Sequence, residues 1–223
     1  MLPFHERLAR IGLNTLADDG FVLAGGYALS GHGIGNRPSE DVDLFTNNFS
    51  ADEFAQAADR LIEALRSDKL IVDISRQGKT FLDVYVKDLD TNDASAMQLG
   101  VNFREFPPAR IEVGPVLDLR DAVASKMSAL WSRGYVRDFI DIDKVVESGA
   151  FSKDQVLSLA DSQEATPMDR HMLADRFRQA AYSDPEEYAS YGVNADDYAA
   201  LAQRFTQWAD EIDPPTPTAP ENP

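Results

Sequence analysis

The sequence has no cysteine among its 223 residues. Disulfides and thiolate metal sites are therefore excluded, and a cytoplasmic setting fits that usage. Basic residues are scarce. The 21 Lys and Arg stand against 38 Asp and Glu, a formal net charge of −17. That balance argues against a broad nonspecific hold on nucleic acid, because phosphate backbones are gripped mainly by Lys and Arg, although a small local basic patch remains compatible with it. An acidic surface also offers a face to a basic protein partner. No apolar run approaches the roughly 20 residues of a membrane-spanning helix. The N-terminus MLPFHERLARIG lacks the basic-then-apolar order of a signal peptide. Three histidines, His5, His32 and His171, are too scattered to read as a metal cluster. No internal repeat is visible.

What is present is enough apolar residue, 43 %, to bury a sizeable core. Residues 3–18 carry Phe4, Leu8, Ile11, Leu13 and Leu16 at roughly helical spacing. Residues 21–24 read as a buried strand, 26–32 as a short helix and 41–45 as a second strand. Ser50 with Glu53 forms a capping-box pattern before an amphipathic helix. Residues 70–76 and 80–87 read as strands joined by a Gln77-Gly78-Lys79 turn. Residues 88–95 read as loop, and 96–103 and 109–114 as weaker strands. From Asp118 the pattern is helical, with stops at Gly134 and Gly149. Ser152 with Gln155 resembles another capping box, Thr166-Pro167 reads as a helix start, and Asn194 as the cap of a last helix through Trp208. The tail after residue 212 is proline-rich and is expected to be disordered. The expected organisation is an α/β (α+β) catalytic core with a mixed sheet over 1–116, a helical C-terminal part over 117–212 and a disordered tail over 213–223.

The most informative stretch is FVLAGGYALSGHGIGNRPSEDVDLF, residues 21–45. A hydrophobic run breaks at Gly25-Gly26, a short helix follows, and the chain returns through Arg37 and Ser39 into a strand carrying Asp41 and Asp43. Residues two apart on a strand share a face, so two carboxylates aim at one point, which suits Mg²⁺. A bare Gly-Gly turn opening a helix can present backbone N–H groups to a phosphate. Arg37 can meet a phosphate with both arms of its guanidinium, and the Ser39 hydroxyl can contact phosphate or metal-bound water. D-x-D and Gly-Gly are each common alone, and their combination in this order reads as a nucleotidyl-transfer site. Such a reaction is an in-line attack on an α-phosphate with pyrophosphate leaving. Downstream, Lys126 lies among Val123, Met127 and Leu130 on a helix and could place a cation over the pyrophosphate, although a lysine there usually snorkels to solvent. Asp138 and Asp141 share a helix face, from which one could orient Lys126 or help the nucleophile, and by spacing alone that face reads as solvated. Trp131 and Trp208 read as core or interface. Arg170, Arg176 and Arg178 read as a salt-bridged surface rather than an RNA contact.

LAGGYALSGHGIGNRPSEDVDLF together with LDLRDAVASKMSALWSRGYVRDFIDIDKVV resembles the nucleotidyltransferases of the AbiEii/MenT type, toxins of bacterial type IV toxin–antitoxin systems. The resemblance implies a DNA-polymerase-β-like nucleotidyltransferase fold, Mg²⁺ and an NTP substrate. It implies nucleotide transfer to an RNA acceptor, with tRNA the target class, so that translation is inhibited. A cognate antitoxin protein is implied as a partner. By carry-over, Gly25 and Gly26 match the phosphate-binding turn, and Ser39, Asp41 and Asp43 match the metal and triphosphate motif. Lys126 matches the motif lysine and Asp141 its downstream acid.

One departure is visible. Enzymes with this core usually add a third carboxylate from a later strand, as general base or ligand to a second metal. Gln98 stands where that acid is expected, with Asn102 shortly after. Asp83, in TFLDVYV, is the alternative third metal ligand. Two other readings stay open. The low basic content favours a small-molecule acceptor, as in aminoglycoside-type nucleotidyltransferases. The amide at Gln98 favours a non-catalytic member that binds nucleotide or a partner protein.

Overall fold

The computed structural model describes residues 1–214. The expected disordered tail, apart from Asp213 and Pro214, lies outside the described residues. By internal contacts the chain divides into two units, Met1–Val123 and a second beginning at Ala124.

The first unit contains α1 (Pro3–Thr15), β1 (Val22–Leu23), α2 (Gly25–Gly31), β2 (Asp41–Thr46), α3 (Ala51–Ser67), β3 (Leu70–Gln77), β4 (Phe81–Asp88), β5 (Ala94–Val101), β6 (Ala109–Ile111) and β7 (Gly114–Val116). The strands form one mixed sheet in the order β3-β4-β5-β2-β1-β7-β6. β2 runs parallel to β5 and β1 parallel to β7, and the other pairings are antiparallel. Alternation sets the two faces. Val42, Leu44, Leu82, Val84, Val86, Met97 and Leu99 are buried on one side, and α1 and α3 pack on the strands. α3 starts where its cap residue predicts, since the Ser50 side chain accepts from the Glu53 amide. The single weak strand expected over 109–114 is instead a hairpin, β6 and β7 turning at Glu112-Val113, so β7 can pair with β1.

The helix α4 (Leu119–Ser132) carries the boundary between the units. The second unit continues through α5 (Val136–Glu147), α6 (Lys153–Gln163), α7 (Arg170–Arg178), α8 (Pro185–Ser190) and α9 (Ala195–Ile212). Its centre is aromatic. Phe205 meets Phe139 edge-on at 5.0 Å, Phe177 at 5.3 Å and Trp208 at 6.0 Å between ring centroids. α6 begins with the capping box read at Ser152 and Gln155. The helix expected at Thr166-Pro167 begins later, at Arg170, capped by Asp169. Asp161 is the reason: it accepts from the Met168 amide and from the Arg170 guanidinium, which holds 166–169 out of helical conformation.

Two of the three arginines read as salt-bridged surface are engaged in that way. Arg170 pairs with Asp161, Arg178 with Asp175 and Asp210, and Arg176 donates to the Trp131 carbonyl. The solvated face expected for α5 is not found. Asp138 is fully buried against Arg133, Asp141 against Lys126, and Asp143 against Arg204.

Phe205→Ala removes the ring that joins α5, α7 and α9 and is expected to cost about 3–5 kcal/mol. Urea unfolding followed by Trp208 fluorescence reads it. A midpoint unchanged from wild type would mean that this cluster does not set the stability of the helical unit.

Candidate active site

The close approach of two chain segments builds the site in the first unit. Ala24 donates its amide to the Asp43 carbonyl at 2.9 Å, which fixes the start of α2 against β2. Gly25 then takes φ +60°, a conformation that side chains rarely adopt. A Cβ on Gly25 would fall on the Asp43 carboxylate, 2.8 Å from its Cγ. A Cβ on Gly26 would stand 3.1 Å from an Arg37 Nη and 3.2 Å from the Ser39 hydroxyl. Gly25 is therefore required by space as well as by backbone angle, and Gly26 is favoured by space alone. They bring Arg37, Ser39 and Asp43 to one turn. Ser39 lies before β2 begins, so strand geometry does not aim it; the turn does.

Along β2 exposure alternates, with Asp41, Asp43 and Phe45 on one face and Val42, Leu44 and Thr46 on the other. Asp41 and Asp43 thus share a face, beside the glycine turn. Asp83 belongs to the same face but does not join them. Asp43 is opposite Gln98, and Gln98 is opposite Asp83. Two strand spacings separate the carboxylates' backbones, about 10 Å. Arg76 holds Asp83 from the far side at 2.6 Å. Among the described residues, no group of three or more Asp, Glu or His is placed to hold a metal. The donor set is a carboxylate pair, next to a turn with no room for Cβ and lined by an arginine and a serine. Such a set fits Mg²⁺, which commonly takes one or two protein carboxylates and completes its shell with water and substrate phosphates.

Behind this turn lies a contact not anticipated from the sequence. His5 on α1 meets the Tyr27 hydroxyl on α2 at 2.7 Å, and the rings cross edge-on at 5.6 Å. Burial holds the His5 imidazole below its ordinary value, and the field of Asp41 partly opposes that. Burial likewise raises the Tyr27 phenol, with Asp41 adding in the same sense. The only local signal was a polar residue on the apolar stripe of α1. His32 serves structure, with Nε2 2.7 Å from the Leu117 carbonyl.

In the second unit Lys126 is 7 % exposed and does not snorkel. Its ammonium lies 2.8 Å from Asp141. Two buried charges need each other, since either left alone in that setting is costly. Asp138, which shares the helix face of Asp141, is instead taken by Arg133 at 2.9 Å.

A family profile described as "Nucleotidyl transferase AbiEii toxin, Type IV TA system" matches residues 8–221. No curated protein matches the sequence. Among solved structures the chain is similar to JHP933 from Helicobacter pylori, at 20 % identity and TM-score 0.54, with 94 % of this chain and 90 % of that one covered. It is similar to a putative nucleotidyltransferase from H. pylori at 17 % identity and TM-score 0.55, covering 94 % and 96 %. It is also similar to the nucleotidyltransferase toxin MenT4 from Mycobacterium tuberculosis H37Rv, at 14 % identity and TM-score 0.59, covering 94 % and 84 %. At these identities the likeness is one of fold.

Gly25 and Gly33 both have positive φ, but nothing lies within 4 Å of a Cβ built at Gly33. Gly25→Ala and Gly33→Ala should each cost about 1–2 kcal/mol of left-handed strain. Gly25→Ala should cost a further ~1–3 kcal/mol for the collision with Asp43. Equal losses in urea titrations would mean that Asp43 moves aside freely. A second expectation concerns pH. The folded chain resists protonating His5, whereas the unfolded chain protonates near its ordinary value of about 6.5. Stability should therefore fall as pH drops below that value, toward the lower folded pKa. His5→Gln should lose less stability than wild type between neutral pH and mild acid. An identical loss in both proteins would assign the dependence to other groups.

Proposed function

Because the chain belongs to the family of nucleotidyl transferase AbiEii toxins of type IV toxin–antitoxin systems, we propose that it transfers nucleotides from an NTP to an RNA acceptor, with tRNA the expected class, and so inhibits translation. The observation that supports this reading is the collision that a side chain at Gly25 would have with Asp43: glycine turn and carboxylate pair occupy one place. Asp41 and Asp43 would hold Mg²⁺. The ion, when bound, neutralises charge on the phosphate oxygens and holds the triphosphate in line with the attacking hydroxyl. Gly26 leaves the phosphate chain room beside Arg37 and Ser39, which donate to its oxygens. Asp83 has no part in the metal set in this reading, since Arg76 engages it and Gln98 intervenes.

From the second unit we assign Lys126 as the cation for the departing pyrophosphate and Asp141 as its positioning residue. The family's motif order and the buried ion pair support this assignment. Water exclusion around that pair keeps the ammonium oriented and strengthens its field. A basic antitoxin would complement the net charge of −17. Among the described residues no helix is long and apolar enough to cross a membrane, and we place the reaction in the cytoplasm.

The same charge favours one rival, a small hydroxylated acceptor, which needs no phosphate-tracking surface. Purified protein, Mg²⁺, each labelled NTP and either tRNA or a panel of small acceptors separates the two. Asp41→Ala should reduce label transfer to background and abolish growth inhibition while melting near the wild-type temperature. Undiminished transfer by that variant would refute the site.

A further inference from the structure

The open face of the sheet has a register that extends the site beyond β2. Three rows cross it. Asp41 is opposite Ala96, Ala96 opposite Tyr85, and Tyr85 opposite Asp73. Asp43 is followed by Gln98, Asp83 and Arg76, and Phe45 by Gly100 and Phe81. On this face β5 presents Ala94, Ala96, Gln98 and Gly100; the Phe45 ring covers Gly100, so the floor is small at Ala94 and Ala96 and carries one amide at Gln98. The walls are the β2 carboxylates and the β4 rings, two strand spacings apart, or about 10 Å. Phe81 and Tyr85 are 43 % and 47 % exposed, costly for large apolar rings, with the Arg76 guanidinium and Gly78 beside the Phe81 ring. They lie four residues apart on one strand, about 13 Å, so each ring can take its own base.

We propose that the trough over β5 is the acceptor subsite and that it takes a single-stranded RNA end, with bases stacked on Tyr85 and Phe81 and Gln98 against a base edge. The inference rests on the transfer reading above and names where the acceptor lies. Aromatic rings on an open sheet face are a common means of holding unpaired bases, because every base has a stackable face. The two rings are isolated from one another by Asp83, so they do not form the continuous apolar patch a protein partner would bury. Gln98 carries both a donor and an acceptor, as a base edge requires. The same position that denies the enzyme a third carboxylate thus supplies a neutral reader next to Asp43.

Cations stand at both ends of the trough, while the segment after Lys87, DLDTND, residues 88–93, adds Asp88, Asp90 and Asp93 at that end. Lys87 follows Tyr85 on the same face. At the other end the segment ISRQGKTF, residues 74–81, holds Arg76 and Lys79 and no acid, in a chain of net charge −17. The Arg76 guanidinium stands 5.9 Å from the Phe81 ring centre and pairs with Asp83, with its own side chain 72 % exposed. Asp73 lies one strand beyond Tyr85, outside the trough. A strand lying over β5 reaches Asp41 and Asp43 with its terminal hydroxyl by continuing along the rows.

The test is binding, measured apart from transfer. A short unstructured RNA, labelled at its 5′ end and carrying 4-thiouridine as its 3′ nucleotide, is titrated into the full chain by fluorescence anisotropy and then photocrosslinked. Phe81→Ala and Tyr85→Ala should each weaken RNA binding by about 5- to 100-fold. Tyr85→Phe should bind like wild type, and NTP affinity should not change in any of them. Tyr182→Ala, which removes an 88 % exposed ring far along the chain, serves as the neutral control. The crosslink should map to residues 81–98. Wild-type RNA affinity in both alanine variants, a crosslink elsewhere, or no RNA binding by the wild-type chain would each overturn the subsite. So would loss of antitoxin binding with RNA binding kept, which would give the face to a protein partner. Binding through the trough without any nucleotide transfer would leave the subsite standing and sink the transfer reading. Transfer at the wild-type KM for RNA in the alanine variants would do the reverse.

Discussion

The site depends on one steric constraint, the absence of space between Gly25 and the Asp43 carboxylate. The Ala24–Asp43 backbone hydrogen bond draws the start of α2 onto β2, and only a residue without Cβ tolerates the resulting approach. Backbone angle and packing select glycine independently at this point, because φ is +60° as well. Everything polar nearby follows. Gly26 admits Arg37 and Ser39 to the same turn, and the strand period places Asp41 beside Asp43. That combination, donors without bulk on one side and two carboxylates on the other, is one that suits a phosphate chain and a hard divalent ion.

This part of the molecule was readable because its signals are local. Glycines before a helix, two acids at period two and caps at Ser50, Ser152 and Asn194 each depend on neighbours within a few residues. The parts that were not readable depend on remote partners. Asp138 and Asp141 read by spacing alone as a wet helix face, yet Asp138 is buried against Arg133 and Asp141 against Lys126, and beside them Asp143 is buried against Arg204, 61 residues away. The helix read from Thr166-Pro167 yields to Asp161, which pulls the chain into an extended path. Asp83 could be assigned to a strand but not to a row, since its distance from Asp43 is set by β5 lying between.

Gln98 is the position where sequence and geometry have to be read together. Taken as a missing acid, it points to a weakened or inactive enzyme. Taken in its row, it is flanked by Asp43 and Asp83, and a third carboxylate there would crowd three like charges across adjacent strands. Like charges directly opposite one another destabilise a sheet. An amide relieves that repulsion, and Arg76 neutralises what remains at Asp83. The amide therefore suits the sheet's electrostatics whatever it does to the proton balance of catalysis.

The acidity of the chain bears on how an RNA could be held. A protein that grips many phosphates needs a basic track and loses affinity steeply with salt. A chain of net charge −17 has little basis for such a track. A surface that holds a strand by stacking uses base faces, which are uncharged, and needs cations only where the backbone enters and leaves. Lys87 at one end and Arg76 with Lys79 at the other are placed in that way along β4 and its turn. The body of the RNA would then be left ungripped while its short unpaired end is held. The same charge leaves the rest of the surface suited to a basic protein. Acidity and an RNA acceptor are compatible as long as recognition is local, aromatic and confined to the terminus.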